Sequence, residues 1–151
     1  MDSVQLTAYL AELNPVSIFL RLLLATLCGL IGMERGKKRR AAGFRTHILV
    51  CLGSSVTMIT NQYLFTVVSN GAGDPGRLGA QVISGIGFLG AGTIIVTGRQ
   101  QIKGLTTAAG LWASACMGLA IGAGFYLAAV IAFGFIFVVV TMLGSLDDYF
   151  Y

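Results

Sequence analysis

Five long stretches that carry almost no charge constrain the fold of this sequence more than any other feature. At about 1.5 Å per residue, helices of these lengths cross most or all of a hydrocarbon core about 30 Å thick. A chain with 56% hydrophobic and 11% charged residues also lacks the polar surface of a soluble protein. The sequence therefore predicts an all-α membrane protein, a bundle of five transmembrane helices, or of four if the third stretch is re-entrant. The predicted spans are 16–33, 47–69, 79–97, 105–121 and 124–143.

The distribution of basic residues predicts the orientation of the bundle. Six of the ten lysines and arginines lie between Arg35 and Arg45, and Arg99 and Lys103 lie in the loop before the fourth span. Cytoplasmic loops carry such an excess, so the N-terminus is expected outside and the C-terminus in the cytoplasm. The predicted organisation is an interfacial segment at 1–15, a transmembrane domain at 16–144 and a short cytoplasmic tail at 145–151.

The basic loop at 35–45 also indicates which partners the chain binds. Anionic lipid headgroups match a basic cluster that lies beside a membrane span. Nucleic acid is not expected, because the loop offers only Phe44 to stack on a base.

Glycines concentrate in the third predicted span. Residues 85–90 match GxGxxG, but they lie inside an apolar span with no preceding strand, so a dinucleotide site is excluded. Two interpretations of Ser84 to Gly92 remain: close packing of helices, which we favour, or a locally unwound helix that lines a polar cavity. The predicted helix-packing glycines are Gly29, Gly32, Gly85, Gly87, Gly90 and Gly92.

Arg21 is the one full charge well inside a predicted span. Its helical face continues through a stripe of small residues, which favours burial between helices over snorkelling to the outer headgroups. If it is buried, the expected partners are Asp74, Glu12 or Gln81.

Other polar residues near the span ends complete a set of candidate functional side chains. Glu34 is the only acid in a strongly basic loop and is expected to pair with Arg35, Arg45 or another basic neighbour. His47 is interpreted as a hydrogen-bonded helix start, and one of Thr106 and Thr107 as a helix cap. The candidates are Arg21, Glu34, Arg35, Arg45, Thr46, Asp74, Arg77, Gln81, Ser84, Thr106, Thr107 and Trp112.

The sequence contains no recognisable catalytic set. It has one histidine, no GxSG motif, no pair of acids inside the spans and no His/Cys cluster of metal-ligand spacing. We therefore predict neither an enzyme nor a resident cofactor. Magnesium or another cation stays open as a ligand.

Several sequence blocks resemble the MgtC/SapB family of bacterial inner-membrane proteins. They are RLLLA at 21–25, GLIGMER at 29–35, AGFRTH at 42–47, DPGR at 74–77 with AQV at 80–82, SGIGFLGAG at 84–92, and GLTTAA at 104–109 with LW at 111–112. The resemblance implies five helices in the bacterial inner membrane. Long members respond to magnesium limitation and restrain the membrane sector of the F-type ATP synthase. They carry a cytoplasmic C-terminal domain and have Asn where this chain has Thr106, so this chain resembles the short, SapB-like members.

The sequence thus predicts a non-enzymatic membrane protein linked to magnesium or cation homeostasis. It is expected to act by helix–helix association with itself, as a dimer, and with a membrane-protein partner such as the F-type ATP synthase. The alternative is an oligomeric ion transporter or channel. Its polar path would run near Arg21, Gln81, Ser84 to Gly92 and Thr106/Thr107.

Overall fold

The computed structural model describes residues 13–37, 40–96 and 102–143, together with Thr7 and Ala11. This part of the chain forms five helices and one short hairpin, which confirms the predicted all-α class. The elements are α1 Pro15–Lys37, α2 Phe44–Val68, α3 Arg77–Gly92, β1 Ile95–Val96, β2 Ile102–Lys103, α4 Leu105–Gly122 and α5 Tyr126–Val138, the last continued by a π-helical turn Val139–Leu143. The predicted tail at 145–151 and most of the predicted interfacial segment lie outside the described residues.

Helix α1 begins at a well-formed cap and continues past the predicted end of the first span. The Asn14 side chain accepts a hydrogen bond from the Ser17 amide at 2.7 Å, and Pro15 occupies the first helical position. After a 3-10 turn at Gly29–Ile31, the helix resumes and ends at Lys37 rather than Met33. Glu34 therefore lies in the helix and not in a loop.

The helix α2 also begins earlier than predicted, at Phe44 instead of His47. Arg45, Thr46 and His47 therefore occupy its first turn. The helix ends in a π-helical turn at Leu64–Val68, close to the predicted boundary.

The predicted third span, 79–97, is wrong at its C-terminal end. Helix α3 is continuous through Ser84 to Gly92 and ends there, so it has about 24 Å of length. After a turn, Ile95 pairs with Lys103 and Val96 with Ile102 in an antiparallel hairpin. The β-branched residues that extended the apolar stretch are those that form β1. The alternative of an unwound helix at Ser84 to Gly92 is also wrong.

Three of the helices, α1, α2 and α4, are long and apolar enough to cross a membrane. Helix α5 is apolar but shorter, and starts after a tight turn at Gly124, whose φ is +83°. The two helices α3 and α5 complete the bundle. The count of five spans and the outside position of the N-terminus stay predictions.

The bundle is centred on α2 and α4, which lie side by side in parallel and share the most extensive contact. A Cβ atom added at Gly118 would collide with the Cys51 carbonyl oxygen, and one added at Gly122 would lie 2.5 Å from the Ser55 carbonyl oxygen. Only glycine permits this approach, as is typical of helix pairs in lipid. The helix α1 covers one side of this pair, and α3 packs on both helices from another.

Helix α1 approaches α2 through two of the predicted packing glycines. A Cβ at Gly29 would lie 2.5 Å from Ile48 Cα, and one at Gly32 would lie 2.9 Å from His47 Cβ. The small side chains Ala25, Cys28 and Cys51 are buried at this junction together with Met117 and Ile121. Ala129 and Val140 of the last helix belong to the same cluster, so the core lies between α1, α2, α4 and α5.

Candidate functional site

Arg21 lies in the interior of the bundle, where it is 3% exposed. Its Nε donates to the Tyr126 hydroxyl at 2.7 Å, and one terminal nitrogen donates to the Gly122 carbonyl at 2.9 Å and to Gln62 Oε1 at 3.3 Å. The guanidinium carbon also stands 5.7 Å from the centre of the Tyr126 ring. These partners come from α2, α4 and α5, so this one side chain ties α1 to three other helices.

The Arg21 guanidinium supplies a hydrogen-bond donor to the C-terminal end of α4. The last carbonyls of a helix have no partner within it and form the negative end of its dipole. Arg21 binds the carbonyl of Gly122, and the Gln62 amide donates to the carbonyl of Ala123 at 3.1 Å. A cation at this position is thus held by a helix end rather than exposed to lipid.

The partners that the sequence suggested for Arg21 are wrong where the structure describes them. The Asp74 carboxylate instead accepts the Gly76 amide at 2.8 Å in the α2–α3 loop, and Gln81 is exposed on α3. Helix α3 packs against α2 and α4, away from the junction where Arg21 lies. Glu12 lies outside the described residues.

Glu34 and Arg35 lie at the opposite end of α1, next to the start of α2. Arg35 Nε stands 3.2 Å from Glu34 Oε2, and the two side chains are 8% and 16% exposed respectively. Arg45 is exposed and Thr46 half-buried in the first turn of α2. Asp74 and Arg77 are both exposed at the other end of the bundle.

His47 is fully buried between α1, α2 and α4. Its Nδ1 lies 2.9 Å from the Gly43 carbonyl, and its Nε2 points at Gly110, where an added Cβ would stand 3.1 Å away. Within the described residues, Nε2 has no hydrogen-bond partner, and the same holds for the hydroxyls of Ser55 and Ser114. We call His47, Ser55 and Ser114 the polar seam, since all three are 0% exposed between α2 and α4.

The seam was not predicted, although the sequence contains a signal for it. Small residues recur every fourth position on α4, at Gly110, Ser114, Gly118 and Gly122. Such a stripe predicts a close helix contact, but it does not identify the helix that packs on it.

Thr106, Thr107 and Trp112 occupy different faces of α4. Thr107 is buried at 2% exposure, whereas Thr106 and Trp112 are exposed. The prediction that one threonine caps this helix is wrong. The cap residue is Gly104 with φ of +99°, and no side chain caps the helix, because a side chain at Gly104 would collide with the Thr93 carbonyl.

The glycines of α3 divide between two surroundings. Gly90 packs on α4, where an added Cβ would lie 3.6 Å from Ala108 Cβ. An added Cβ at Gly85, Gly87 or Gly92 would meet no atom within 4 Å. The expected close packing of these three glycines therefore does not occur within the described part of the chain.

An exposed side of α3 carries a stripe of small residues. Ala80, Ser84, Gly87 and Ala91 recur at three- and four-residue spacing and are all exposed, next to Phe88, which is 83% exposed. We call these five residues the outer face of α3.

The polar path proposed for an ion does not assemble in one chain. Arg21 lies at the α1–α4 junction, Thr107 is buried on α4, and Gln81 and Ser84 face outward on α3. Within the described residues, no group of three or more His, Cys, Asp or Glu could hold a metal ion.

The chain is similar to a group of curated bacterial proteins. A family model described as the MgtC family matches residues 22–149. The putative magnesium transporter YhiD of Escherichia coli K12 is 48% identical over 111 residues, which cover 71% of this chain and 51% of that protein. Protein SapB of Bacillus subtilis 168 is 42% identical over 130 residues, 83% of this chain and 56% of that protein. Protein MgtC of Brucella abortus 2308 is 43% identical over 120 residues, 80% of this chain and 48% of that protein.

The chain spans about half the length of the curated relatives that it matches. No solved structure matches it significantly.

Proposed function

The chain belongs to the MgtC family, and from this premise we propose a non-enzymatic role in magnesium homeostasis, carried out by association of the chain with a second copy through the outer face of α3. It is a multi-pass protein of the bacterial inner membrane, with three helices long and apolar enough to span. The link to magnesium rests on the family and on the name of the YhiD relative, a putative magnesium transporter.

The observation that carries the association is the outer face of α3. Gly87 and its small neighbours let a second helix approach closely, and packing of this kind drives helix association in lipid. The exposed ring of Phe88 adds apolar area beside the stripe. A chain that used this helix only to span the membrane would have no need for small residues on its outward side.

Replacement of Gly87 tests this proposal. Gly87→Leu is expected to weaken self-association at least about tenfold, because the added side chain separates the two helices. The dissociation constant is measured in lipid bilayers by fluorescence energy transfer, and growth at limiting magnesium is measured in parallel. Gly134→Leu, on α5, is the matched control, because an added Cβ there also meets no atom within 4 Å. Unchanged association and growth in Gly87→Leu would reject the proposal.

We propose that the same face contacts a membrane-protein partner, for which the family resemblance suggests the F-type ATP synthase. Subunits of the synthase are expected to co-purify with the wild-type chain and with Gly134→Leu, but not with Gly87→Leu. If the synthase subunits are absent from all three preparations, this partner is rejected. Self-association is then judged separately, from the dissociation constant of Gly87→Leu.

Ion transport is the second candidate function, and the polar seam favours it. Buried polar atoms without a partner are costly in a membrane, and water or a passing ion supplies the missing hydrogen bonds. Transport predicts magnesium or proton flux into liposomes that contain the purified chain, reduced by Ser114→Ala and unaffected by Cys116→Ala on the same helix. No flux under any gradient or potential would exclude transport.

A further inference from the structure

A groove of about 540 Å³ opens between α2 and α3. Leu49 and Gly53 form its α2 wall, and Gly85 and Leu89 form its α3 wall. At one end the lining becomes polar, with Arg45 and Thr46. The groove is therefore apolar along most of its length and cationic at the end lined by Arg45 and Thr46, which we call the mouth.

The walls of the groove present a hydrocarbon-like surface. An added Cβ at Gly53 or at Gly85 would meet no atom within 4 Å, so the two glycines keep the groove open. The Thr57 hydroxyl, which also lines the groove, donates to the Gly53 carbonyl at 2.8 Å. The Thr57 hydroxyl proton is therefore used within α2 and is not offered to a ligand in the groove.

The mouth of the groove is complementary to an anion. Arg45 is exposed in the first turn of α2, and Thr46 beside it carries a hydroxyl donor. Within the described residues, no side chain caps this turn at Gly43, and the turn forms the positive end of the helix dipole. Arginine suits phosphate oxygens because its donors form a planar fork.

A second cavity of about 350 Å³ adjoins the mouth. It shares Thr46 and Leu89 with the groove and continues toward Ala42 and Leu111, and Phe88 and Ala91 of the outer face of α3 also line it. The two cavities therefore meet at Thr46.

The length of the groove matches one leaflet of a bilayer. From Arg45 to Thr57, α2 rises about 18 Å, against about 15 Å for half of the hydrocarbon core. The mouth lies at the end of α2 that follows the basic loop at 35–45, so it stands at the level of the headgroups.

From these observations we infer that the groove between α2 and α3 binds one anionic phospholipid. Its phosphate lies at Arg45 and Thr46, and an acyl chain lies along Leu49, Gly53 and Gly85. A second copy of the chain fits this groove less well. A symmetric dimer through it would bring two Arg45 side chains together, and like charges repel.

Binding is tested with the purified full chain in a neutral detergent. Native mass spectrometry compares phosphatidylglycerol with phosphatidylcholine of the same acyl chains. We expect phosphatidylglycerol to bind about tenfold more tightly, because both lipids carry a phosphate but the choline ammonium of phosphatidylcholine cancels the net negative charge that Arg45 attracts. Arg45→Gln should remove this preference. Lys103→Gln should keep it, since Lys103 is an exposed cation on the same side of the bundle that does not line the groove.

The apolar part of the site has its own pair of variants. Gly85→Leu should fill the groove and lower phosphatidylglycerol binding at least about tenfold, whereas Gly134→Leu should leave it unchanged. The thermal melt and the elution volume show whether Gly85→Leu folds. If it does not fold, Gly53→Leu replaces it, because this variant fills the groove from the α2 wall. Gly87→Leu should keep lipid binding while it loses self-association.

Four results would overturn the inference. The first is equal binding of the two lipids by the wild-type chain. The second is an equal loss in Arg45→Gln and Lys103→Gln, which indicates diffuse surface charge. The third is binding of free glycerol phosphate as tight as that of the lipid, which indicates a headgroup site without the groove. The fourth is a Gly85→Leu variant that no longer forms dimers but still binds the lipid, which indicates that a second copy occupies the groove.

Discussion

At the scale of the residue, Arg21 shows how a charge is kept within an apolar bundle. Its burial at 3% exposure is tolerated because the guanidinium meets the carbonyl of Gly122, the hydroxyl of Tyr126 and the amide oxygen of Gln62. The tight turn at Gly124 brings these groups together, since an added Cβ there would stand 3.6 Å from the guanidinium. Arg21 thus connects helices inside the bundle and does not lie among the lipid headgroups.

Arg21→Ala is expected to lower the free energy of unfolding by about 3 kcal/mol, because several buried acceptors lose their charged donor. Arg21→Lys should restore only part of this loss, since an ammonium cannot reproduce the planar fork. The measurement is thermal unfolding in detergent, with Arg77→Ala, at an exposed position, as the control. A silent Arg21→Ala would show that the side chain merely snorkels.

At the scale of the element, the pairing of α2 with α4 depends on where glycine falls. Gly118 and Gly122 meet carbonyl oxygens of α2, which a rotamer change cannot move. Gly85 and Gly87 on α3 have open space instead, so glycine serves different purposes in the two helices. In α4 it permits contact within the chain, and in α3 it leaves a groove on one side and a surface for a partner on the other.

Gly118→Ala should therefore destabilise the chain by about 2 kcal/mol, because α2 must shift to accept the methyl group. Gly134→Ala should leave stability unchanged or raise it by up to about 1 kcal/mol, since alanine favours a helix and nothing obstructs it. Both effects are read from thermal unfolding in the same detergent. Equal melting temperatures would contradict the close approach of α2 and α4.

At the scale of the whole molecule, the helices alternate in direction, and α2 runs parallel to α4 with α3 antiparallel between them in the chain. Five membrane spans would require this alternation. The alternation also places the basic loop at 35–45 on the same side of the bundle as the hairpin β1–β2. With five spans, Arg35, Arg45 and Lys103 are predicted to lie on one side of the membrane, and Asp74 and Arg77 on the other.

The orientation is tested by labelling with a membrane-impermeant maleimide. Ala72→Cys, in the α2–α3 loop, should react in intact spheroplasts, whereas Lys103→Cys should react only after lysis. The wild-type chain, with buried Cys28 and Cys51 and partly buried Cys116, sets the background. Labelling of Lys103→Cys in intact spheroplasts would reverse the predicted topology.

The sequence by itself determined that this is a helical membrane protein, because the hydropathy and charge of each residue decide the cost of placing it in lipid. It also located the ends of the helices α1, α2, α4 and α5 to within a few residues. It did not locate the end of α3, since the β-branched residues after Gly92 continue the apolar pattern and only pairing with β2 fixes them as a strand.

The tertiary structure alone decided the partners of Arg21, the polar seam and the division of the α3 glycines between contact and open space. Each of these depends on which faces of distant helices meet, as Gly122 meets Ser55 and Arg21 meets Tyr126 across 105 positions of the chain. Helical periodicity specifies which residues share a face, but not which face of another helix packs against it.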